Sequence, residues 1–171
     1  MQLEIDDLTE EERALLAHTL AAIRKTRSQG LHFFANFLGF EWEPAPPGRS
    51  RVCMPVGPQV RNTRGAVQGG AVATLADLTL AAAVRSALSP EVRLVTVEMR
   101  VHYLRPGRGP RLVGEGECVY AGRRFGVAEA RISADDGELV ALATGTFAVV
   151  RPLHAAERDP GEPGSGSAGA S

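Results

Sequence analysis

The chain has 171 residues, of which 44% are hydrophobic and 5% aromatic, and its formal net charge is −1. This is the size of one domain with ample material for a core. The near-neutral balance and scarce aromatics exclude a global electrostatic or base-stacking case for nucleic acid, and for an anionic membrane surface.

The N-terminus carries Glu4, Asp6, Asp7, Glu10, Glu11 and Glu12, the opposite of a cationic signal or transit sequence. Thr9 followed by Glu12 is a capping-box spacing. Apolar Leu15, Leu16, Leu20 and Ile23 follow, which predicts an amphipathic helix over 9–28, stopped near Gly30. Phe33 to Leu38 predicts a short helical piece before Gly39, and Phe40 to Glu43 alternates as a first strand. Pro44 to Gly48 is a turn, and Arg51 to Val56 is a second strand.

Residues 67–88 then form a long apolar helix opening on Gly69 and Gly70 and closed by Ser89 and Pro90. Asp77 is the one charge between Gly70 and Val84, so this helix is predicted to be buried on nearly every face. Strands follow at 93–105, 111–121, 124–134 and 139–150. Gly122 and the Asp135–Asp136–Gly137 run are the hairpin signals between the last three. In the first of these strands, alternation places Val95, Val97, Met99, Val101 and Tyr103 on one face and Thr96, Glu98, Arg100 and His102 on the other. The order predicts an α+β fold, an antiparallel sheet wrapped around the apolar helix. The division is an N-terminal helix over 1–30, a main domain over 31–151, and a Pro-, Gly- and Ser-rich tail over 152–171 expected to be disordered.

Nucleophile and phosphate signatures are missing: there is no GxSxG elbow, no P-loop, and no GxGxxG leading into a helix. His18 and His154 read as solvated, His32 as structural, and His102 as a polar-face residue; no spacing among them suggests a metal. Cys53 and Cys118 read as strand-packing thiols in a reducing, cytoplasmic setting. Candidate chemistry therefore rests on the apolar helix. Asp77 is either satisfied by a buried donor or functional, because a carboxylate among apolar side chains is costly unless paired. The Gly69–Gly70 pair is either a tight entry to the helix or a place where a ligand approaches the backbone. In the second reading the Gly69 N–H, at the positive end of the helix dipole, can donate to a carbonyl oxygen becoming an oxyanion. Gly69 and Asp77 stand roughly 12 Å apart along the axis. For both to act on one carbonyl, a second subunit must supply one of them, which predicts a two-fold dimer with sites at the interface.

The stretch Asn62, Gln68–Gly69–Gly70, Asp77 resembles the hotdog-fold thioesterases, specifically the phenylacetate-pathway (PaaI-like) acyl-CoA thioesterases. The segment from Thr96 to Pro106 resembles the strand that follows the helix in that family, and the likeness spans roughly residues 33–150. It implies a hotdog fold and hydrolysis of an acyl- or aryl-acyl-CoA to an acid and free CoA. No cofactor is implied beyond the coenzyme A of the substrate. Asp77 would be the general base or the nucleophile, Gly69 N–H the polarising donor, Asn62 a holder of water or thioester, and Thr96 a support for the water beside Asp77. Gly70 and Arg61, Arg64, Arg105, Arg108, Arg123 and Arg124 are candidates to meet the thioester and the CoA phosphates. A homodimer with shared sites, further paired as a tetramer, is expected. The departure is Gln68, where the family pattern has His; a Gln donates a hydrogen bond but carries no charge near neutral pH. That departure keeps a non-catalytic acyl-CoA-binding protein as the alternative. A hydroxyacyl-thioester dehydratase, which needs a His beside the helix carboxylate, is the lesser one. The acyl group is left open; Phe33, Phe34, Phe37 and Leu38 would suit an aromatic ring or an aliphatic chain.

Overall fold

A computed structural model of the chain describes residues 8–29 and 33–150. The expected tail, His32, His154 and the stop at Gly30 lie outside the described residues.

Helix α1 spans Glu10–Gln29 and α2 spans Phe33–Leu38. The capping box forms: Thr9 N–H donates to Glu12 Oε2 at 2.8 Å, and Glu12 N–H donates to Thr9 Oγ1 at 3.3 Å. His18 is not solvated as expected. It is half-buried, hydrogen-bonded to the Phe37 carbonyl and set edge-on against the Phe37 ring, so it joins α1 to α2.

The strands are β1 (Glu41–Glu43), β2 (Arg49–Pro55), β3 (Arg93–Tyr103), β4 (Arg111–Ala121), β5 (Phe125–Ala134) and β6 (Leu139–Val150). They form one sheet in the order β1-β2-β4-β5-β6-β3, every pair antiparallel. The α3 helix, Gly69–Ser86, packs against β2, β3, β4, β5 and β6. This is the predicted helix wrapped by a sheet.

Glycines let the sheet come close to α3. A Cβ built on Gly114 would lie 2.2 Å from Thr79 Oγ1, and one on Gly116 would lie 2.8 Å from the Thr79 carbonyl oxygen. Thr79 is fully buried; its hydroxyl donates to the Leu75 carbonyl at 2.7 Å, and its own carbonyl accepts from Ser50 Oγ at 2.6 Å. Leu75, Leu80, Met54, Leu112, Ile132 and Phe147 complete the core.

Two expectations need correction. First, α3 is not buried all round. Ala71, Val72, Leu75, Ala76, Thr79, Leu80, Ala83 and Val84 are buried, but Ala73, Thr74, Asp77, Leu78, Ala81 and Ala82 are only half-buried and Gly70 is exposed. The helix thus keeps a largely apolar stripe that its own sheet does not cover. Second, β3 does not alternate from end to end. Its pairing with β6 shifts between Thr96 and Glu98, leaving Val97 as a bulge. A bulge inserts one residue and exchanges the faces beyond it. Thr96, which bonds to α3, therefore shares its face with Tyr103, which also bonds to α3, and not with Glu98, Arg100 and His102.

Both cysteines are free; Cys53 is buried and Cys118 half-buried. Burial, followed by a hydrogen bond from its Sγ to Glu43 Oε1 at 3.1 Å, pushes the Cys53 thiol up to about 11. At pH 8 a thiol-disulfide reagent is expected to label Cys53 in the folded protein about 10²-fold more slowly than a free cysteine. Rapid labelling of Cys53 without unfolding would contradict that burial.

Candidate active site

A short 3-10 turn at Pro58–Val60 leads into the loop before α3. Asn62 builds that loop. Its Oδ1 accepts from the N–H groups of Arg64 (2.9 Å) and Ala66 (3.2 Å), while its carbonyl accepts from Gly65, whose φ is 72°. Its side-chain oxygen is thereby occupied, and the amide nitrogen is the part of Asn62 left for a ligand.

Gln68 is the N-cap of α3, with φ −61° and ψ 135°, and its side chain makes no capping bond. Its carbonyl accepts from Ala71 and Val72. The N–H groups of Gly69 and Gly70 find no acceptor among the described residues. A cavity of about 330 Å³ opens at Gly69, lined by Asn62, Gly69, Val72, Tyr103, Arg105 and Gly107 among others, while Gly70 lies just outside its lining.

Asp77 does not reach this cavity. It lies two turns further along α3, where Thr96 Oγ1 donates to its Oδ1 at 3.0 Å. The predicted residues thus fall into two groups on one chain. Asn62, Gly69 and Arg105 stand at the mouth of α3; Asp77 and Thr96 stand together along its open stripe. No buried Arg or backbone donor is seen pairing Asp77 among the described residues; its partner is the Thr96 hydroxyl.

The arginines divide likewise. Arg61 pairs with Val67 in an isolated bridge and donates to the Val56 carbonyl, Arg64 is exposed in the Asn62 turn, and Arg105 pairs with Glu138 at 3.1 Å. Arg108 is exposed in the turn after β3. Arg123 and Arg124 are exposed in the β4–β5 hairpin. A Cβ on neighbouring Gly126 would strike Val84, in the last turns of α3. That hairpin therefore lies roughly 20 Å along the helix from Gly69, and Arg123 and Arg124 do not join the mouth arginines within one chain.

One site residue escaped the sequence reading. Tyr103 lines the cavity, and its hydroxyl donates to the Gly69 carbonyl at 3.0 Å. Strict alternation set Tyr103 on the face opposite Thr96, so the Val97 bulge hid it. Among the described residues no group of three or more His, Cys, Asp or Glu is placed to hold a metal ion, and no helix is long and apolar enough to cross a membrane.

The α3 helix thus carries two polar features in two places: a mouth whose first N–H groups have no acceptor among the described residues, and, two turns on, a carboxylate held by a strand hydroxyl. The sequence profile described as "Thioesterase superfamily" matches residues 64–141, which include Gly69, Asp77, Thr96 and Tyr103. A Halobacterium salinarum protein named as an esterase is 37% identical over 131 residues, covering 70% of this chain and 86% of its own. The medium/long-chain acyl-CoA thioesterase YigI of Salmonella typhimurium is 39% identical over 57 residues, 33% of this chain and 37% of YigI. The BH2602 protein of Bacillus halodurans, solved with CoA, superposes with a TM-score of 0.79 at 31% identity over 88% of this chain and 100% of that one. The chain belongs to the thioesterase superfamily. Its fold is the hotdog fold, and its class is that of the thioester hydrolases.

Proposed function

We propose that this protein hydrolyses acyl-CoA as a homodimer, each site taking Asp77 and Thr96 from one subunit and Asn62 and Gly69 from the other. The observation that carries this reading is the separation of the two groups on one helix: neither alone has both a base and an oxyanion donor. The open surfaces suit such a pairing. Strand β3 is a sheet edge of 11 residues, Val95 and Val97 on it are 55% and 56% exposed, and the Asp77 stripe of α3 is uncovered. A two-fold axis near these surfaces brings Asp77 of each subunit to the helix mouth of the other. Two such dimers associate as a tetramer in the same reading.

In the reaction, Asp77 takes a proton from water, and the resulting hydroxide attacks the thioester carbonyl carbon. The oxyanion of the tetrahedral intermediate lies on the Gly69 N–H. The C–S bond then breaks, the CoA sulfur takes the proton from Asp77, and the carboxylic acid leaves. A thioester is an activated acyl group, so a base and a backbone donor suffice without a Ser–His–Asp set. Arg61, Arg64 and Arg105 of one subunit, and Arg123 and Arg124 of the other, face the CoA phosphates from the two ends of the helix. Free thiols suit a reducing cytoplasm.

A panel of acyl-CoAs, aromatic and aliphatic, followed by release of free thiol, tests the reading. Turnover of at least one is expected. Binding without cleavage would support the non-catalytic acyl-CoA-binding alternative, which the uncharged Gln68 favours. Gln68→His is expected to leave kcat similar or higher, since the Gln68 side chain makes no capping bond that the change would remove. A large loss of kcat in that variant would give Gln68 a role of its own.

A further inference from the structure

Gly69 and Gly70 are not explained by backbone strain or packing. Neither has a positive φ, a Cβ on Gly70 would meet nothing within 4 Å, and one on Gly69 would meet the Tyr103 ring at an ordinary 3.7 Å. Alanine at either place would favour the helix more. What the pair leaves bare is two adjacent N–H groups, and only one of them has a role in the mechanism above.

The other is linked to Tyr103. The carbonyl of Gly69 and the N–H of Gly70 belong to the same peptide group. When the carbonyl of an amide accepts a hydrogen bond, the amide polarises and its N–H becomes a stronger donor. Tyr103 supplies that bond at 3.0 Å, and its ring lies alongside Gly69 at the edge of the cavity. Gly70 is exposed, and its N–H, in the first turn of α3, has no acceptor among the described residues.

We propose that Tyr103 is a positioning residue of this site: its hydroxyl fixes and polarises the Gly69–Gly70 peptide so that the Gly70 N–H acts as a second oxyanion donor beside that of Gly69. The Val97 bulge is the device that makes this possible. From Thr96 to Tyr103 is an odd number of steps, so on an unbroken strand the two side chains point to opposite faces. With one residue bulged, β3 holds α3 at both chemically important points, Asp77 through Thr96 and the Gly69–Gly70 peptide through Tyr103. The inference rests on the thioesterase reading above.

Tyr103→Phe keeps the ring against Gly69 and removes only the hydroxyl. We expect kcat on a cleaved acyl-CoA to fall about tenfold, KM to change less than about twofold, and the melting temperature to hold. In the resting variant, the Gly70 amide proton resonance should move upfield relative to wild type while distant amides stay in place. An unchanged kcat, or a Gly70 resonance that does not move, overturns the proposal. So does a fall in kcat that comes with a loss of melting temperature, since that marks a structural role. Wild-type protein that cleaves no thioester overturns the thioesterase reading and this proposal with it. Wild-type turnover with full kcat in Tyr103→Phe overturns this proposal alone.

Discussion

Asp77→Asn is expected to lose at least about 10²-fold in kcat, the lower range of what a general base contributes, while the protein stays folded. The substitution suits the test because Asp77 is half-buried, with the Thr96 hydroxyl as its hydrogen-bond donor at 3.0 Å. An Asn carbonyl oxygen still accepts that bond, so the strand-to-helix contact survives and only the basicity is removed. Asp77→Ala, which breaks the contact as well, should lose a similar factor. Thiol-release kinetics beside a thermal melt decide the matter: full activity in both variants rejects the mechanism. Single-turnover hydrolysis in H₂¹⁸O bears on the two forms of it. If the carboxylate itself attacks and water opens the resulting anhydride at the Asp77 carbonyl, the label enters Asp77, whereas a base never takes it up. Trapping of an acyl anhydride on Asp77 by hydroxylamine identifies the nucleophilic form when water attacks the acyl carbon instead.

Gly69→Pro should cost about 10²–10³-fold, the effect of removing an oxyanion-hole donor. Proline is normally a harsh substitution in a helix, but Gly69 is the first residue of α3, where proline is favoured because its N–H has no partner within the helix. Gln68 before it already has the extended backbone that a following proline requires, with ψ 135°. The variant therefore deletes one N–H and leaves the helix start intact. Mixing it with Asp77→Asn tests the shared site directly. If each site draws on both subunits, a heterodimer of the two variants has one doubly impaired site and one intact site. Unfolding and random reassociation should then restore about a quarter of wild-type activity from two nearly inactive preparations. Sites built within one chain would stay inactive, because every site would carry one lesion.

Much of the fold was legible because its signals are local. The Thr9–Glu12 box, the helical piece before Gly39, the hairpins at Gly122 and Asp135–Gly137, and the long apolar helix are each carried by a few neighbouring residues. Element ends shifted slightly: β2 begins at Arg49 and ends at Pro55, where Arg51 to Val56 was expected. The separation of Gly69 and Asp77 along one helix axis was legible from their spacing. Two features were not legible, for different reasons. The open stripe of α3 reads as buried because apolar composition does not say which chain does the burying. The Val97 bulge is invisible because the apolar–polar alternation runs unbroken from Val95 to Tyr103, and only the pairing with β6 reveals the slip. His18 was misread because nothing near it in sequence announces that α2 folds back to meet it 19 residues later.

The glycine pair on β4 has a consequence for how this enzyme can be tuned. With Gly114 and Gly116 under Thr79, the depth at which α3 sits is set by backbone meeting helix, with no side chain as a spacer. Because Gly69 and Asp77 are carried on that one helix, a methyl group added at either strand position would lift both together, like two teeth on one key. Activity would then change with both of these candidate groups in place and unaltered. Variation in substrate preference among relatives of this fold is therefore worth seeking in the floor of the sheet, well away from the groups that touch the thioester.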